Sequence, residues 1–394
     1  MPLLPILLTN PDQIYALQIQ QIIALCGDGK LTDNTECSRE LRQYLSQAPT
    51  EKLSLYIESC LQGLVDKNGS VLQDLVNELG RRLEYVVDNG LYQGRSNAIG
   101  NDGIWSSPDG HSLVIEVKTT DAYRINLDTI ATYRDKLIQA NRITKESSIL
   151  IIVGREDTGD LEAQVRGSRH AWDIRLISVD ALIKLVKLKE ETEEVTTKKI
   201  RELLVPFEYT KLDKIIDVAF TAVESAGQIA EEQISLDIQG TGDPINQEHT
   251  PREILDSVRQ RIIGAISKRE STPLVRRSAA LYWSVDPNKT IRVACSVSKQ
   301  HKRGIYWYAY HPSWDSFLEE ARKAFYVLGC IGRDEAYALP FAWIHDKLPS
   351  LYTTERGTRK YWHIYLEEGP DRGLVFPLKT GKKMPVSAFR VDLP

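Results

Sequence analysis

Three side chains in this sequence have the types and spacing to do chemistry together: Asp102, Glu116 and Lys118. They lie in Asn101–Thr120, NDGIWSSPDGHSLVIEVKTT, which reads as a β-hairpin turning at Pro108-Asp109-Gly110. In the second arm Leu113, Ile115 and Val117 alternate with Val114, Glu116 and Lys118. Successive strand side chains point to opposite faces. One face is therefore wholly apolar and belongs in a core, and the other carries Glu116 and Lys118 side by side. Pairing the arms symmetrically about Asp109 brings Asp102 across from Glu116; a bulge or a longer loop would shift that register. Opposed residues on one face have Cβ atoms about 4.5–5.5 Å apart. Two carboxylates that close repel, and one pKa rises unless a cation sits between them. The trio therefore points to a divalent-metal site, whose hard oxygen ligands suit Mg²⁺ or Mn²⁺ rather than Zn²⁺.

Asp102 followed by Glu116-Val117-Lys118 resembles the D…ExK signature of the PD-(D/E)XK nucleases, the restriction-endonuclease-like superfamily. Asn101 stands where a proline commonly precedes the Asp. The resemblance extends over about Val71–Leu188 and ends in the segment VRGSRHAWDIRLISVDALIKL. It implies an α/β fold, a mixed sheet flanked by helices, and Mg²⁺- or Mn²⁺-dependent hydrolysis of phosphodiester bonds in DNA. Asp102, Glu116 and the Val117 carbonyl are the implied metal ligands, and Lys118 the implied catalytic cation. A helix before the hairpin often supplies a further Glu in that superfamily: Glu84 is the better placed candidate and Glu78 the second, each with a plain surface role as its alternative. Some members also use a Gln or a basic residue on the following helix, where Gln164 and Arg166 stand. The resemblance also implies a restriction or anti-phage setting, with a partner protein. The competing function is a nucleic-acid-binding or ligand-sensing protein built on an inactivated nuclease fold.

Certain elements must position these groups. Val71–Asn89 has the apolar spacing of an amphipathic helix, with Gly90 at its C-cap. A helix over about Asn126–Asn141, a doubly covered strand at Ser147–Gly154, a helix at Leu161–Ser168, a strand at Asp173–Ser178 and a helix at Val179–Lys189 follow. That alternation is an α/β layer arrangement. His111 and His170 read as surface or satisfied core histidines.

At 394 residues the chain has room for two or three domains. Residues 1–70 form an N-terminal helical region, with Met1–Leu8 a first strand or packed arm. Residues 71–190 form the nuclease-like domain, 191–250 a charged linker with a helix-forming stretch at Leu212–Gln233, and 251–394 an α+β domain. No apolar run is long enough to span a membrane. Five scattered cysteines without a CxxC pair argue for a reducing cytoplasm and against a zinc module. P-loop, HExxH and GxSxG motifs are absent.

The net charge of −4 hides an asymmetry: Pro251–Pro394 carries 24 Lys and Arg against 15 Asp and Glu, and the remainder 26 against 39. The last third is thus the basic part and the place to look for a polyanion. It also holds five of the seven tryptophans. In GIYWYAYHPSW, Tyr306, Tyr308 and Tyr310 alternate with Ile305, Trp307 and Ala309, just after Lys299, Lys302 and Arg303. Aromatics beside cations are what a nucleic-acid groove uses, and Lys299, Lys302, Arg303, Tyr306 and Tyr308 are the candidates. Aromatics at period two are equally the core of a small sheet. Double-strand cleavage would favour a homodimer, since each site cuts one strand.

Overall fold

The computed structural model describes residues 3–93, 99–119, 124–154, 158–191, 197–206, 216, 252–286, 288–301, 304–356, 359–369 and 373–394. The chain separates into two compact units, Met1–Ile238 and Gln239–Pro394, and its secondary structure is mixed α/β.

The first unit begins with five helices: α1 (Leu3–Thr9), α2 (Pro11–Tyr15), α3 (Ile19–Leu25), α4 (Glu36–Leu45) and α5 (Thr50–Leu61). The expected strand or arm at the start is therefore a helix. Leu3 and Leu7, one turn apart, are both buried, and the Glu40 carboxylate accepts from the Leu3 amide at 2.9 Å.

Helix α6 spans Asn68–Arg82 and stops well short of Asn89. A Schellman closure ends it: the Tyr85 amide returns to the Gly80 carbonyl and the Glu84 amide to that of Arg81, with Glu84 in the left-handed region at φ 64°. Behind the stop, β-branched Val86 and Val87 enter strand β1 (Val86–Asn89), and Val86 is 73% exposed rather than core. Gly90 is no helix cap. A Cβ there would fall 2.0 Å from the Asn101 carbonyl oxygen, so glycine lets the end of β1 pass the start of the hairpin.

The hairpin forms as β2 (Gly103–Ser106) and β3 (Ser112–Lys118). Gly103 pairs with Ile115 and Ser106 with Ser112, which is symmetric about Asp109. Then come α7 (Leu127–Gln139), β4 (Ser147–Val153), α8 (Gly159–Arg166), β5 (Ile174–Ser178), α9 (Val179–Glu191) and α10 (Thr197–Leu204). The Asn126 side chain caps α7 by accepting from the Thr129 amide. The sheet runs in order β1-β2-β3-β4-β5, with the first three strands antiparallel and the β3–β4 and β4–β5 pairs parallel.

Strand alternation feeds two cores. Leu113, Ile115, Leu150 and Ile152 join Trp105 and the helices α1–α6 on one face. Ile104, Val114, Ile149 and Ile151 join α7 and α8 on the other. The β4 strand is buried throughout because both its faces are covered. The charged run after Glu190 is not wholly solvated. Ile200, Arg201 and Leu204 of α10 are buried, and Arg201 ion-pairs with Asp109 of the hairpin turn at 2.9 Å. Of Leu212–Gln233 only Ile216 lies within the described residues.

The second unit has helices α11 (Arg252–Glu270), α12 (Pro312–Glu319) and α13 (Phe341–His345). Its strands are β6 (Leu274–Arg276), β7 (Leu281–Ser284), β8 (Ile291–Ser298), β9 (Gln300–His301), β10 (Ile305–Tyr310) and β11 (Lys323–Cys330). The rest are β12 (Glu335–Pro340), β13 (Thr353–Arg356), β14 (Arg359–Glu368), β15 (Leu374–Pro377), β16 (Lys383–Pro385) and β17 (Arg390–Asp392). One sheet is ordered β17-β12-β11-β8-β7-β6; the other is β16-β15-β14-β10-β9, with β13 also paired to β14. Tyr308, Tyr326, Leu328, Ile364 and Leu366 form a core drawn from both sheets, and Ile262 and Ile266 of α11 cover Val293 and Val327 of the first. Among the described residues no helix is long and apolar enough to cross a membrane.

Candidate metal centre

Asp102 stands one residue before β2, where the pairing stops; its amide donates at 2.9 Å to the carbonyl of Ile115, already the partner of Gly103, which brings it beside the face of β3 that Val114 begins as core. Beyond Val114 that face turns polar at Glu116 and Lys118, beside Ile151 and Val153 of β4. These are the carboxyl ends of parallel strands, where open α/β sheets keep their ligand crevices.

The Asp102 carboxylate accepts from the Val117 amide at 2.6 Å. Glu116 Oε1 lies 2.5 Å from Lys118 Nζ, with Glu116 largely covered and Lys118 about one-third exposed. Burial drives the Asp102 pKa up and the neighbouring Glu116 adds to it; the Val117 amide and Lys118 offset only part, leaving it at about 7. Burial pulls Lys118 down, but Glu116, with help from Asp102 and Tyr133, outweighs burial and holds it above its ordinary value.

Helix α6 holds this site from below. Gln73 Nε2 and Asn77 Nδ2 both donate to the Asp102 carbonyl, at 3.0 and 2.8 Å, and Gly90 N–H joins them at 3.1 Å. Asn77 Oδ1 in turn accepts from the indole N–H of fully buried Trp105 at 2.9 Å. A Cβ on Gly103 would sit 2.3 Å from that same oxygen. Two buried amides one turn apart thus fix the backbone that carries the carboxylate. They went unnoticed in the sequence, where a neutral Gln and Asn inside an amphipathic helix carry no charge signal. Tyr133 of α7 closes another side: its ring occupies the space where a Cβ on Gly100 would lie.

The remaining candidates fall elsewhere. Glu84 is a correction: it follows α6 instead of lying within it, and its carboxylate pairs with Lys189 of α9 at 3.1 Å. Glu78 is buried against Arg81 and Arg82. Among the described residues no group of three acidic, His or Cys side chains converges, so neither glutamate completes the pair. Gln164 grips the main chain of Ile125 with both ends of its amide, which anchors the approach to α7, and Arg166 is exposed at the end of α8. His111 meets the Ser148 hydroxyl at 2.9 Å and His170 meets Asp128 at 2.8 Å.

The chain matches no protein-family model and no curated protein.

Asp102 and Glu116 suit a small hard cation. Mg²⁺ takes one or two carboxylates and keeps several waters, so it needs no third acidic residue. Burial is the larger cause of the raised Asp102 pKa and the Glu116 charge the second, and a cation beside both carboxylates would offset the two.

The nucleic-acid candidates need the larger correction. Tyr306, Tyr308 and Tyr310 are buried in the core between the two sheets of the second unit, and the Tyr308 hydroxyl donates to the Gly329 carbonyl at 3.1 Å. They cannot stack on bases without opening that core. Lys302 and Arg303 lie outside the described residues. Lys299 stands between β8 and β9, partly exposed.

Proposed function

We propose that this protein is a metal-dependent nuclease that hydrolyses phosphodiester bonds in DNA, an endonuclease of restriction or anti-phage type. One observation carries the reading: Asp102 lies close enough to Glu116 for that charge to add to the burial that raises its pKa, and Lys118 is in contact with Glu116. The element order supports it too, since a helix, three antiparallel strands, a crossover helix and a parallel strand are the core expected of a restriction-endonuclease-like domain. Five buried free cysteines fit a reducing cytoplasm.

Asp102, Glu116 and the Val117 carbonyl would hold Mg²⁺ or Mn²⁺, which when bound lowers the pKa of coordinated water and stabilises charge on phosphate oxygens. Asp102 must ionise first, and the metal site is therefore emptiest in acid. Lys118, kept cationic by Glu116, can orient the attacking water or neutralise the phosphate as charge develops. Gln73 and Asn77 donate their hydrogen bonds before any substrate arrives, so the Asp102 main chain needs no rearrangement. Cleavage of both strands would take two copies of the chain or two encounters.

A second reading follows from the closed Lys118–Glu116 pair: a salt-bridged hairpin on a binding protein without catalysis. Purified protein incubated with supercoiled plasmid, linear duplex and single strands, in Mg²⁺, Mn²⁺ or EDTA and beside Glu116→Ala, separates the two. Cleavage that requires both metal and Glu116 is expected. Binding without cleavage on every substrate, and without metal uptake by calorimetry, would leave only the second reading.

A further inference from the structure

The outward face of β10 and β14 is aromatic, and neither core of its unit takes in its aromatic side chains. Trp307 pairs with Tyr365 across the strands and Ala309 with His363, with Tyr361 next along β14. The rings form one continuous set: Trp307 to Tyr361 6.4 Å, Trp307 to His363 5.8 Å, Tyr361 to His363 5.1 Å, and His363 stacked on Tyr365 at 6.3 Å. Tyr352, 57% exposed, extends it: its carbonyl accepts from the His363 amide, and its hydroxyl is near enough to that of Tyr365 to add to the effect of burial there.

The rings are held rather than merely adjacent. The Trp307 indole N–H donates to His363 Nδ1 at 3.0 Å. Indole nitrogen is a donor only, so Nδ1 is the acceptor and the neutral imidazole carries its proton on Nε2. That nitrogen lies 2.6 Å from the Thr354 hydroxyl. A chain of hydrogen bonds thus ties β10 to β14 to β13.

Cations border this face on two sides. Lys379 Nζ lies 5.5 Å from the Tyr352 ring centroid. Lys299 stands at the other edge, near enough to His301 of β9 to help keep that imidazole neutral. Glu367, a carboxylate on the outward side of β14, is paired with Lys383 at 2.6 Å. The sequence of this unit carries the chain's positive excess.

We propose that this face is a stacking platform for an unpaired nucleic-acid strand, with bases on Trp307, Tyr361 and Tyr365 and phosphates toward Lys299 and Lys379. Aromatic faces accept any base, and rim cations track the backbone. A protein partner would not need cations on both borders of an aromatic centre. The choice of a nucleic acid as occupant rests on the nuclease reading; the platform geometry does not.

The test uses the full chain in EDTA, with anisotropy of a fluorescein-labelled oligothymidine of about 20 nucleotides, long enough to cover one such site. Trp307→Ala with Tyr365→Ala should weaken binding about tenfold or more, and Lys299→Ala with Lys379→Ala should flatten its salt dependence. Trp307→Phe keeps a ring but loses the hydrogen bond to His363, and should retain most of the affinity. Thermal melts of each variant check the fold. Unchanged affinity in a folded Trp307→Ala, Tyr365→Ala protein would overturn the platform and leave cleavage as evidence for the nuclease. Absence of any oligothymidine binding at low salt would overturn it too. Binding that depends on Trp307 in a chain that never cleaves would sustain the platform and sink the nuclease reading instead.

Discussion

Strands β3 and β10 both alternate in character, yet their outward halves do different physical work. On β3 the polar half gathers Glu116 and Lys118 beside Asp102 at the rim of a core. Burial, with the neighbouring Glu116 adding to it, holds the Asp102 carboxyl pKa up at about 7. On β10 the outward half carries Trp307 among other rings, a surface with neutral contacts and a hydrogen bond to His363. The first arrangement is one that a cation would relieve; the second offers flat area. The strained half should therefore govern chemistry, and the neutral half binding.

The sharpest break of that comparison is at the carboxylates. Glu116→Gln keeps the shape and removes a charge, and cleavage should fall by about 10²–10³-fold or more in a plasmid assay. Trp307→Ala should leave the rate on saturating plasmid within a few-fold, since a surface that only binds the strand changes KM and not the chemical step. Equal losses from both substitutions would erase the distinction between a chemical and a binding strand.

The next largest effect distinguishes the two faces of β10 itself. Tyr308→Ala empties a core position and frees a buried carbonyl, and should cost about 3–5 kcal/mol in urea unfolding. Trp307→Ala, on the half-covered side, should cost about 1 kcal/mol. Comparable losses would mean that both faces are core.

Asp102 gives a prediction of opposite sign. Its folded pKa lies above that of the unfolded chain, so the folded state holds the proton more tightly. The stability this gives is full below about pH 4 and is lost as pH rises toward 7. Without metal, unfolding free energy should decline over that window, and Asp102→Asn should be the more stable protein at pH 8 by up to a few kcal/mol. Mg²⁺ should stabilise the wild type at pH 8 and leave Asp102→Asn unmoved. A metal-free wild type whose stability rises from pH 4 to 7, relative to Asp102→Asn, would show that Asp102 is not strained.

The hairpin was readable because its turn, its alternation and its charges agree: Pro108-Asp109-Gly110 sets the register, and only one face of β3 could tolerate Glu116 and Lys118. On β10 alternation divides the residues into two sets without saying which set is inside, because Tyr308 and Trp307 are equally able to be core. Cations nearby in sequence favoured the tyrosines wrongly, since charge that is close along the chain need not share a face. Helix α6 was overextended for a related reason. Val86 and Val87 continue an apolar pattern, but nothing in it announces that Glu84 turns left-handed. Gln73 and Asn77 were invisible as site residues because their partner is a main-chain carbonyl brought close only by folding.

The last pair of effects concerns the supports behind the two faces, Asn77 on α6 and Thr354 on β13. Asn77→Ala removes a donor to the Asp102 carbonyl and leaves the Trp105 indole N–H unpaired, at a cost of about 1–3 kcal/mol. Metal affinity by calorimetry should fall about 10–100-fold as Asp102 loses a fixed backbone. Thr354→Val removes the acceptor that orients His363 at a partly covered place, and should cost no more than about 1 kcal/mol. Oligonucleotide affinity should change no more than a few-fold, because the rings remain. The asymmetry follows from what each support holds. A charge in a covered site depends on position to within a fraction of an ångström, and a stacked ring tolerates sliding. Thr354→Val weakening oligonucleotide binding as much as Trp307→Ala would show that the aromatic face reads hydrogen bonds and is not a simple platform.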